Sequence, residues 1–348
     1  MQQVSSRWWD VWRGGGVRVR EAWLRQGLTG DWVQVPVWDW QITASVGEGV
    51  CARYAGSVTL APEAADLVDE QRTYIQVRAG FVVGQAAVTV PIATMFVDTV
   101  SERRDMVEVS GYSDEERVRR AAFRTPAVFT SGSAIETLRG LLTVVTNTID
   151  VYVPDVTVPS TTYDRERWAA VQHYMVALDA TCHVAANGGW RLTPAPSLDS
   201  SATVRFGPGE ARIDRSQERT RTGIYNVVVV TGQRPEGETE GDTPYGVWED
   251  ANPASPTYVR GVFGESVRHE SSPILTTNSA CAKAAATYGR QSVGRRRTVT
   301  MTVRPLDVIE PGDTLLVERD GRWESLIADV ITHRWDGAQE IRCREVRE

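Results

Sequence analysis

The clearest alternation of apolar and polar positions lies in residues 298–321, TVTMTVRPLDVIEPGDTLLVERDG. Residues 298–303 alternate with period two and predict a strand; residues 314–319 predict a second. Between them, Glu310-Pro311-Gly312-Asp313 predicts a tight turn, because Pro presets φ and the Gly after it accepts positive φ. Asp320-Gly321 closes the second strand. The same pattern stands once before. Residues 57–80, SVTLAPEAADLVDEQRTYIQVRAG, align with it without a gap. Val58/Val299, Thr59/Thr300, Asp66/Asp307, Thr73/Thr314, Arg78/Arg319 and Gly80/Gly321 are identical, and Leu60/Met301, Leu67/Val308, Val68/Ile309, Asp69/Glu310 and Ile75/Leu316 are similar. Each copy continues into an apolar strand, Pro91-Ile92-Ala93 with Phe96-Val97 against Leu326-Ile327-Ala328 with Val330-Ile331. A polar turn and another strand follow, at 106–110 and 340–344. Strand, turn, strand, strand, turn, strand predicts a small antiparallel barrel or sandwich, and its recurrence predicts a duplicated β-unit, one copy near each end.

The pattern divides the chain into four stretches. Residues 1–28 predict an N-terminal arm in which Trp8, Trp9, Trp12 and Trp23 flank Gly14-Gly15-Gly16 and the alternating Arg18 and Arg20. Seven of the twelve tryptophans fall within the first 40 residues. Tryptophan is costly to leave in water, so the arm should dock, either on its own chain or on a neighbouring subunit. On the second reading the four tryptophans form an intersubunit contact, and deleting residues 1–28 should weaken assembly while leaving the monomer folded.

Residues 29–120 predict the first barrel-like domain, ending in a short helix that starts at Asp114-Glu115-Glu116-Arg117 with acid at its N-terminus. Residues 121–200 change character and predict an inserted α/β domain. Ser133 and Glu136 make a capping box before Ile135, Leu138, Leu141 and Leu142. Asp164 is placed to cap a second helix on which Trp168, Val171, Met175, Leu178 and Cys182 recur at helical spacing. Asn187-Gly188-Gly189 and a strand at 190–192 follow. Residues 201–348 predict the second barrel-like domain, with a β-branched central strand at 224–231, loops at 234–242 and 250–256, and an alanine-rich helix at about 278–290 capped by Thr277-Asn278-Ser279. The fold class expected is therefore mainly β, with two similar antiparallel barrel-like domains and an α/β insertion.

Composition removes several function classes. A chain of 348 residues exceeds what one core usually organises. No run of 18 apolar residues marks a membrane span, and the N-terminus lacks the apolar stretch of a signal peptide. Net charge is −7, which argues against a nucleic-acid binder. Lys283 is the only lysine, an arginine bias that a GC-rich genome explains. Cys51, Cys182, Cys281 and Cys343 lie far apart, as buried free thiols would.

Catalytic chemistry is not singled out. Gly14-Gly15-Gly16 lacks the strand and the Lys-Ser/Thr of a phosphate loop, and Gly47-Glu48-Gly49 is more simply a turn. His173 and His183, ten apart, have no carboxylate or cysteine at ligand spacing, so no metal is expected. Cys182-His183 cannot pair as nucleophile and base if both lie on one helix. Asp66, Asp69 and Glu70, with Asp307 and Glu310 in the second copy, sit in turns where carboxylates have structural work. Arg295-Arg296-Arg297 is a solvated face or a partner for carboxylates. No enzyme, cofactor or metal is expected.

One order of elements is familiar. An alanine-rich helix beginning Ala280-Cys281-Ala282-Lys283 is followed by a strand, the Pro311-Gly312-Asp313 turn and the strand Thr314-Leu315-Leu316-Val317. With the VTL strand, Arg78-Ala79-Gly80, Val90-Pro91-Ile92, Val107-Glu108-Val109 and Arg124-Thr125-Pro126 of the first half, this resembles the tail-hub proteins. These are the baseplate-hub or tail-tip proteins of tailed bacteriophages and related injection machines. The likeness covers most of residues 30–345; the tryptophan-rich arm lies outside it.

The resemblance implies a structural minor tail protein of the virion, assembled in the bacterial cytoplasm. Three chains would make a homotrimeric ring of six barrels, joining a six-fold tail tube or distal tail protein to a three-fold tip or fibre. The tape-measure protein would be a further partner, and DNA would only pass through the channel. The alternative is a carbohydrate-binding or wall-degrading tip protein, which the tryptophans would suit through sugar stacking.

Overall fold

The structure is a computed structural model that describes residues 5–46, 52–195, 202–208, 210–219, 221, 223–234, 243–293, 297–319 and 321–345. The turn expected at 47–49, Cys51, most of the loop at 234–242, Arg295, Arg296 and Asp320 lie outside these residues. Helix α1 (Ser6–Gly14) comes first. Ser5 accepts a hydrogen bond from the Trp8 N–H at 3.4 Å, and Gly15 ends the helix at φ +81°. Seven strands follow: β1 (Arg18–Gln26), β2 (Val33–Val35), β3 (Val37–Ser45), β4 (Tyr54–Leu60), β5 (Thr73–Val83), β6 (Ala86–Arg103) and β7 (Met106–Tyr112). They pair in the order β3-β4-β7-β6-β5-β1-β2. Residues 18–26 are thus a sheet strand rather than part of a separate arm. β1 runs antiparallel to β5 over nine register pairs, with Ala22 and Leu24 turned into the core.

Helix α2 (Glu115–Arg120) opens the next stretch. Strands β8 (Ala127–Phe129) and β9 (Gly132–Ser133) lead to helix α3 (Ala134–Leu142). Half of the expected capping box forms there. The Ser133 hydroxyl accepts from the Glu136 N–H at 3.0 Å, while the Glu136 carboxylate pairs forward with Arg139. Strands β10 (Ile149–Val151), β11 (Thr157–Val158) and β12 (Thr161–Tyr163) precede helix α4 (Arg167–Leu178), and β13 (Ala180–Val184) and β14 (Trp190–Pro194) follow it. Two expectations fail here. Helix α4 starts after Asp164, with Glu166 at its cap position making no side-chain cap bond. It also stops before Cys182, because Asp179 adopts the left-handed conformation at φ +52° and turns the chain into β13. Ile135, Leu138, Leu141, Leu142, Val171, Tyr174 and Leu192 share an apolar cluster of their own.

Beyond this region, β15 (Val204–Phe206) and β16 (Ala211–Arg219) return to the large sheet. β17 (Val227–Thr231), the expected central strand, does not join it. It lies at the centre of a separate three-stranded sheet between β18 (Tyr245–Glu249) and β19 (Val267–Ser271). Helix α5 (Asn278–Val293) covers that sheet, capped by Thr277, whose hydroxyl accepts from the Ala280 N–H at 3.1 Å. The glycines make the packing close. A Cβ on Gly289 would lie 1.9 Å from the Trp248 ring, and one on Gly246 would lie 2.1 Å from the Ala282 nitrogen.

The last four strands are β20 (Arg297–Val303), β21 (Thr314–Arg319), β22 (Arg322–Arg334) and β23 (Gln339–Glu345). Their order, β20-β23-β22-β21, repeats β4-β7-β6-β5, and β16 joins β20 as β3 joins β4. The Glu310–Asp313 turn forms as expected. Asp313 N–H donates to the Glu310 carbonyl at 3.1 Å, Gly312 takes φ +96°, and the Asp313 carboxylate accepts from the Glu310 N–H at 2.8 Å.

The copies differ in detail. Gly321 turns at φ +77°, whereas Gly80 lies inside β5, which runs on to Val83. The longer β5–β6 arm also shifts the frame. Val97 pairs with Gly111 and Leu326 with Glu345, so Val97 rather than Ile92 stands level with the Leu326–Ile327 step. The two units are not closed barrels. β22 pairs with β3, fusing both copies into one 13-stranded sheet. One continuous apolar cluster runs from Ile42, Val58 and Val77 in the first copy to Val299, Leu315 and Ile341 in the second.

Candidate assembly surfaces

Within the chain, the two copies meet along β3 and β22. Five antiparallel register pairs run from Ser45–Val330 to Gln41–Arg334. The ladder is extended by Val46 N–H donating to the Asp329 carbonyl at 2.9 Å and Trp335 N–H donating to the Trp40 carbonyl at 3.1 Å. The rings of Trp40 and Trp335 then meet edge to face at 4.9 Å. Such pairs add about 1 kcal/mol beyond the area they bury.

Residues 5–26 also bind the two copies together. Trp8 is fully buried, its ring edge to face with Phe81 of β5 at 5.3 Å and with Trp9 at 5.5 Å. Trp12 is buried as well, meets Trp9 at 6.0 Å, and donates its indole N–H to the Pro305 carbonyl of the second copy at 2.7 Å. Trp23 stands apart from these three, half-buried on β1, with its N–H on Glu21 at 3.3 Å. The structure therefore brings Trp8, Trp9 and Trp12 together and packs Trp8 and Trp12 inside their own chain.

Beneath the helix, Arg18 of β1 donates to Asp307 at 2.7 Å, and His333 of β22 stands 3.8 Å from the same carboxylate. Burial pushes the Asp307 carboxyl up, with Arg18 opposing it. Burial, with Arg18 adding to it, pushes the His333 imidazole down to about 3. Arg20 covers the Trp335 ring at 4.9 Å. The shared aspartate of the two copies has diverged, since Asp66 is exposed and Asp307 is buried.

A cleft of about 350 Å³ opens between β13, β14 and the Glu310–Asp313 turn. Arg53 donates to the Pro311 carbonyl at 2.6 Å, and Arg191 lies 3.7 Å from Glu310. Deeper in, Glu115 accepts from the Val184 N–H at 2.7 Å, and burial raises its pKa. These contacts hold the middle of the chain onto the sheet. The Glu310 and Asp313 carboxylates are committed to the ion pair and the turn, in keeping with a structural role.

Other candidates separate in space. His173 lies on α4 with its Nδ1 3.1 Å from the Tyr163 hydroxyl, and His183 lies on β13. Cys182, Cys281 and Cys343 are free and buried, and burial raises each thiol. Among the described residues, no group of three or more His, Cys, Asp or Glu side chains is gathered to hold a metal. Among the described residues, no helix is long and apolar enough to cross a membrane.

Sequence reasoning missed two features. One is a bulge at an aspartate in the corresponding strand of each copy, at Asp98 in β6 and at Asp329 in β22. Asp98 pairs with Arg120 at 2.7 Å and Asp329 with Arg344 at 3.4 Å. An aspartate behind an apolar β-run in each copy was the available signal. The other is the Arg18–Asp307 pair, whose partners lie 289 residues apart.

No protein-family profile matches the chain, and no curated protein matches it by sequence. Solved structures do match. A tail protein from Neisseria meningitidis shares the fold at TM-score 0.66 and 12% identity, over 94% of this chain and 96% of that one. A prophage tail protein from Shewanella oneidensis matches at TM-score 0.60 and 13% identity, over 94% and 98%. A prophage tail protein from Listeria monocytogenes matches at TM-score 0.57 and 9% identity, over 94% and 95%. The chain thus has the fold of phage tail proteins over nearly its whole length.

Proposed function

We propose that the chain is a structural protein of a phage tail, acting as a hub at the tail's distal end. Three copies would close into a ring of six β-units. One face of the ring would meet a six-fold tail tube or distal tail protein, and the other a three-fold tip or fibre, with the tape-measure protein nearby and DNA passing through the centre. The observation that carries this reading is the repeated strand order, β3-β4-β7-β6-β5 and β16-β20-β23-β22-β21, in one chain. Two near-equivalent units per chain are what a three-membered assembly needs in order to present six similar surfaces. The fold shared with tail proteins supports the same reading.

The role is geometric rather than enzymatic. The carboxylates of the cleft serve ion pairs and turns, and Trp8 and Trp12 are packed inside the chain, away from any sugar that could stack on them. Assembly would take place in the bacterial cytoplasm and the mature protein would reside in the virion. Gold-labelled antibody against the chain, viewed on whole particles, should mark the tail end distal to the head. Label on the head, along the tube shaft, or absent from particles that carry the protein would overturn the reading.

A further inference from the structure

The two copies make their first connection at the same end of the sheet. From β20 to β4 the order runs β20-β23-β22-β3-β4, every neighbour antiparallel, so β20 and β4 point the same way. Residues 304–313 leave the end of β20, and residues 61–72 leave the end of β4. In the second copy this connection is covered by its own chain. Trp12 of α1 donates to the Pro305 carbonyl at 2.7 Å, Arg18 reaches Asp307 at 2.7 Å, and the Gln339 side chain accepts from the Leu306 N–H at 2.7 Å. Leu306, Val308 and Ile309 are buried there. In the first copy the connection is open. Asp66, which stands where Asp307 does, is exposed and has no ion pair among the described residues. Leu67, which stands where Val308 does, is 41% exposed.

The open end has a definite chemistry. Gln26 donates to the Leu67 carbonyl at 2.7 Å, the Gly27 N–H to the Arg72 carbonyl at 2.8 Å, and the Ala61 N–H to the Pro36 carbonyl at 3.1 Å. Residues 26–39 are thereby laced to residues 61–72, and their Leu28 and Trp38 are exposed as Leu67 is. The same two segments carry Asp31, Asp39, Glu63, Asp66, Asp69 and Glu70 against a single basic residue, Arg72, which pairs with Asp69 at 3.6 Å. Exposed apolar side chains among uncompensated carboxylates suit a partner segment that brings a large apolar group together with arginine or lysine. The chain supplies its own example, since α1 and β1 bring Trp12 and Arg18 to the matching connection of the second copy.

We infer that the 61–72 end of the first copy docks a basic segment with an apolar anchor, carried by the three-fold tip protein. The inference rests on the hub reading. In a ring of three chains all six connections lie on one face, with the three of the second copy covered and the three of the first copy open. Such a face offers three sites rather than six, which matches a three-fold neighbour and leaves the opposite face to the six-fold tube.

The test uses the full chain, with the tail-tip and tail-tube proteins of the same phage as separate probes in biolayer interferometry. Asp66→Lys combined with Glu70→Lys reverses the charge, Leu67→Ser removes the anchor, and Asp150→Lys, on β10 of the inserted region, is the control. All four side chains are exposed, so the fold should hold, checked by thermal melting. Binding of the tip protein to the parent should weaken as salt is added. The charge reversal should slow association with the tip protein by about tenfold or more, and Leu67→Ser should speed its release. Tube binding, and both bindings by Asp150→Lys, should match the parent. Variants that hold the tip protein as the parent does, or that lose the tube protein, overturn this inference and leave the hub reading standing. So does a parent that binds the tube protein and not the tip protein. A parent that binds neither overturns both.

Discussion

Asp307 shows how one residue holds two halves of a sheet together. Its side chain is fully buried, and Arg18, from the far end of the sequence, reaches it at 2.7 Å. Removing one partner of a buried pair leaves the other charge uncompensated, at a cost of about 3 kcal/mol. Asp307→Ala should therefore lower unfolding stability in chemical denaturation, and the double change with Arg18→Met should recover part of the loss. His333, beside the same carboxylate, gives a pH signature. In the unfolded chain it takes up a proton below about pH 6.5, but in the folded chain only near pH 3. Unfolding therefore binds a proton in that window, and stability falls as pH drops from about 6.5 towards 3. Asp307, whose pKa is raised, acts with the opposite sign. His333→Gln should flatten the dependence of melting temperature on pH by up to one proton's worth of slope. An unchanged slope would mean that other groups carry it.

Trp12 makes the same link by packing. Its indole is buried and its N–H is held by Pro305, so Trp12→Ala should cost about 3–5 kcal/mol, read by thermal unfolding.

Among elements, strands were easier to read than their partners. The period-two stretches at 57–60, 74–78, 107–109, 298–303 and 314–319 all lie within strands of the large sheet. β1 was harder, because its core positions, Ala22 and Leu24, are interleaved with charged residues. The Arg18 and Arg20 heads, which the pattern leaves without partners, are spent on Asp307 and the Trp335 ring. Local pattern does not show where a long side chain ends. Likewise, apolar spacing ran past the end of α4 to Cys182, since an aspartate at positive φ leaves no mark on periodicity. The run at 227–231 announced a strand, but which sheet it joins depends on the distant Tyr245–Glu249 and α5.

Two element-scale outcomes follow from these placements. Deleting residues 1–28 removes β1 and its nine register pairs with β5, along with Trp8 and Trp12. The monomer itself should then fail to fold cooperatively, seen as loss of a sharp melting transition. A deletion variant that melts as sharply as the parent would contradict this. At the α5–β18 contact, Gly289→Ala puts a methyl group against Trp248. Overpacking of this kind costs about 1–3 kcal/mol, measurable as a lowered melting temperature, whereas Ala on the exposed face at Lys283 should be nearly neutral.

At the scale of the molecule, the repeated strand pattern was legible because both copies keep their alternation. What could not be read was that the copies share one sheet and one core. That fusion runs through β3 and β22, whose register pairs join residues more than 280 positions apart. The account's central claim is that these two fused copies assemble three chains at a time. Mass photometry of the purified full chain, alone and with tail-tube protein, tests it most directly. The account expects a species of three times the 38.5 kDa chain mass, alone or once the tube protein is added. A chain that remains monomeric, or settles as a dimer or tetramer, under both conditions would contradict it.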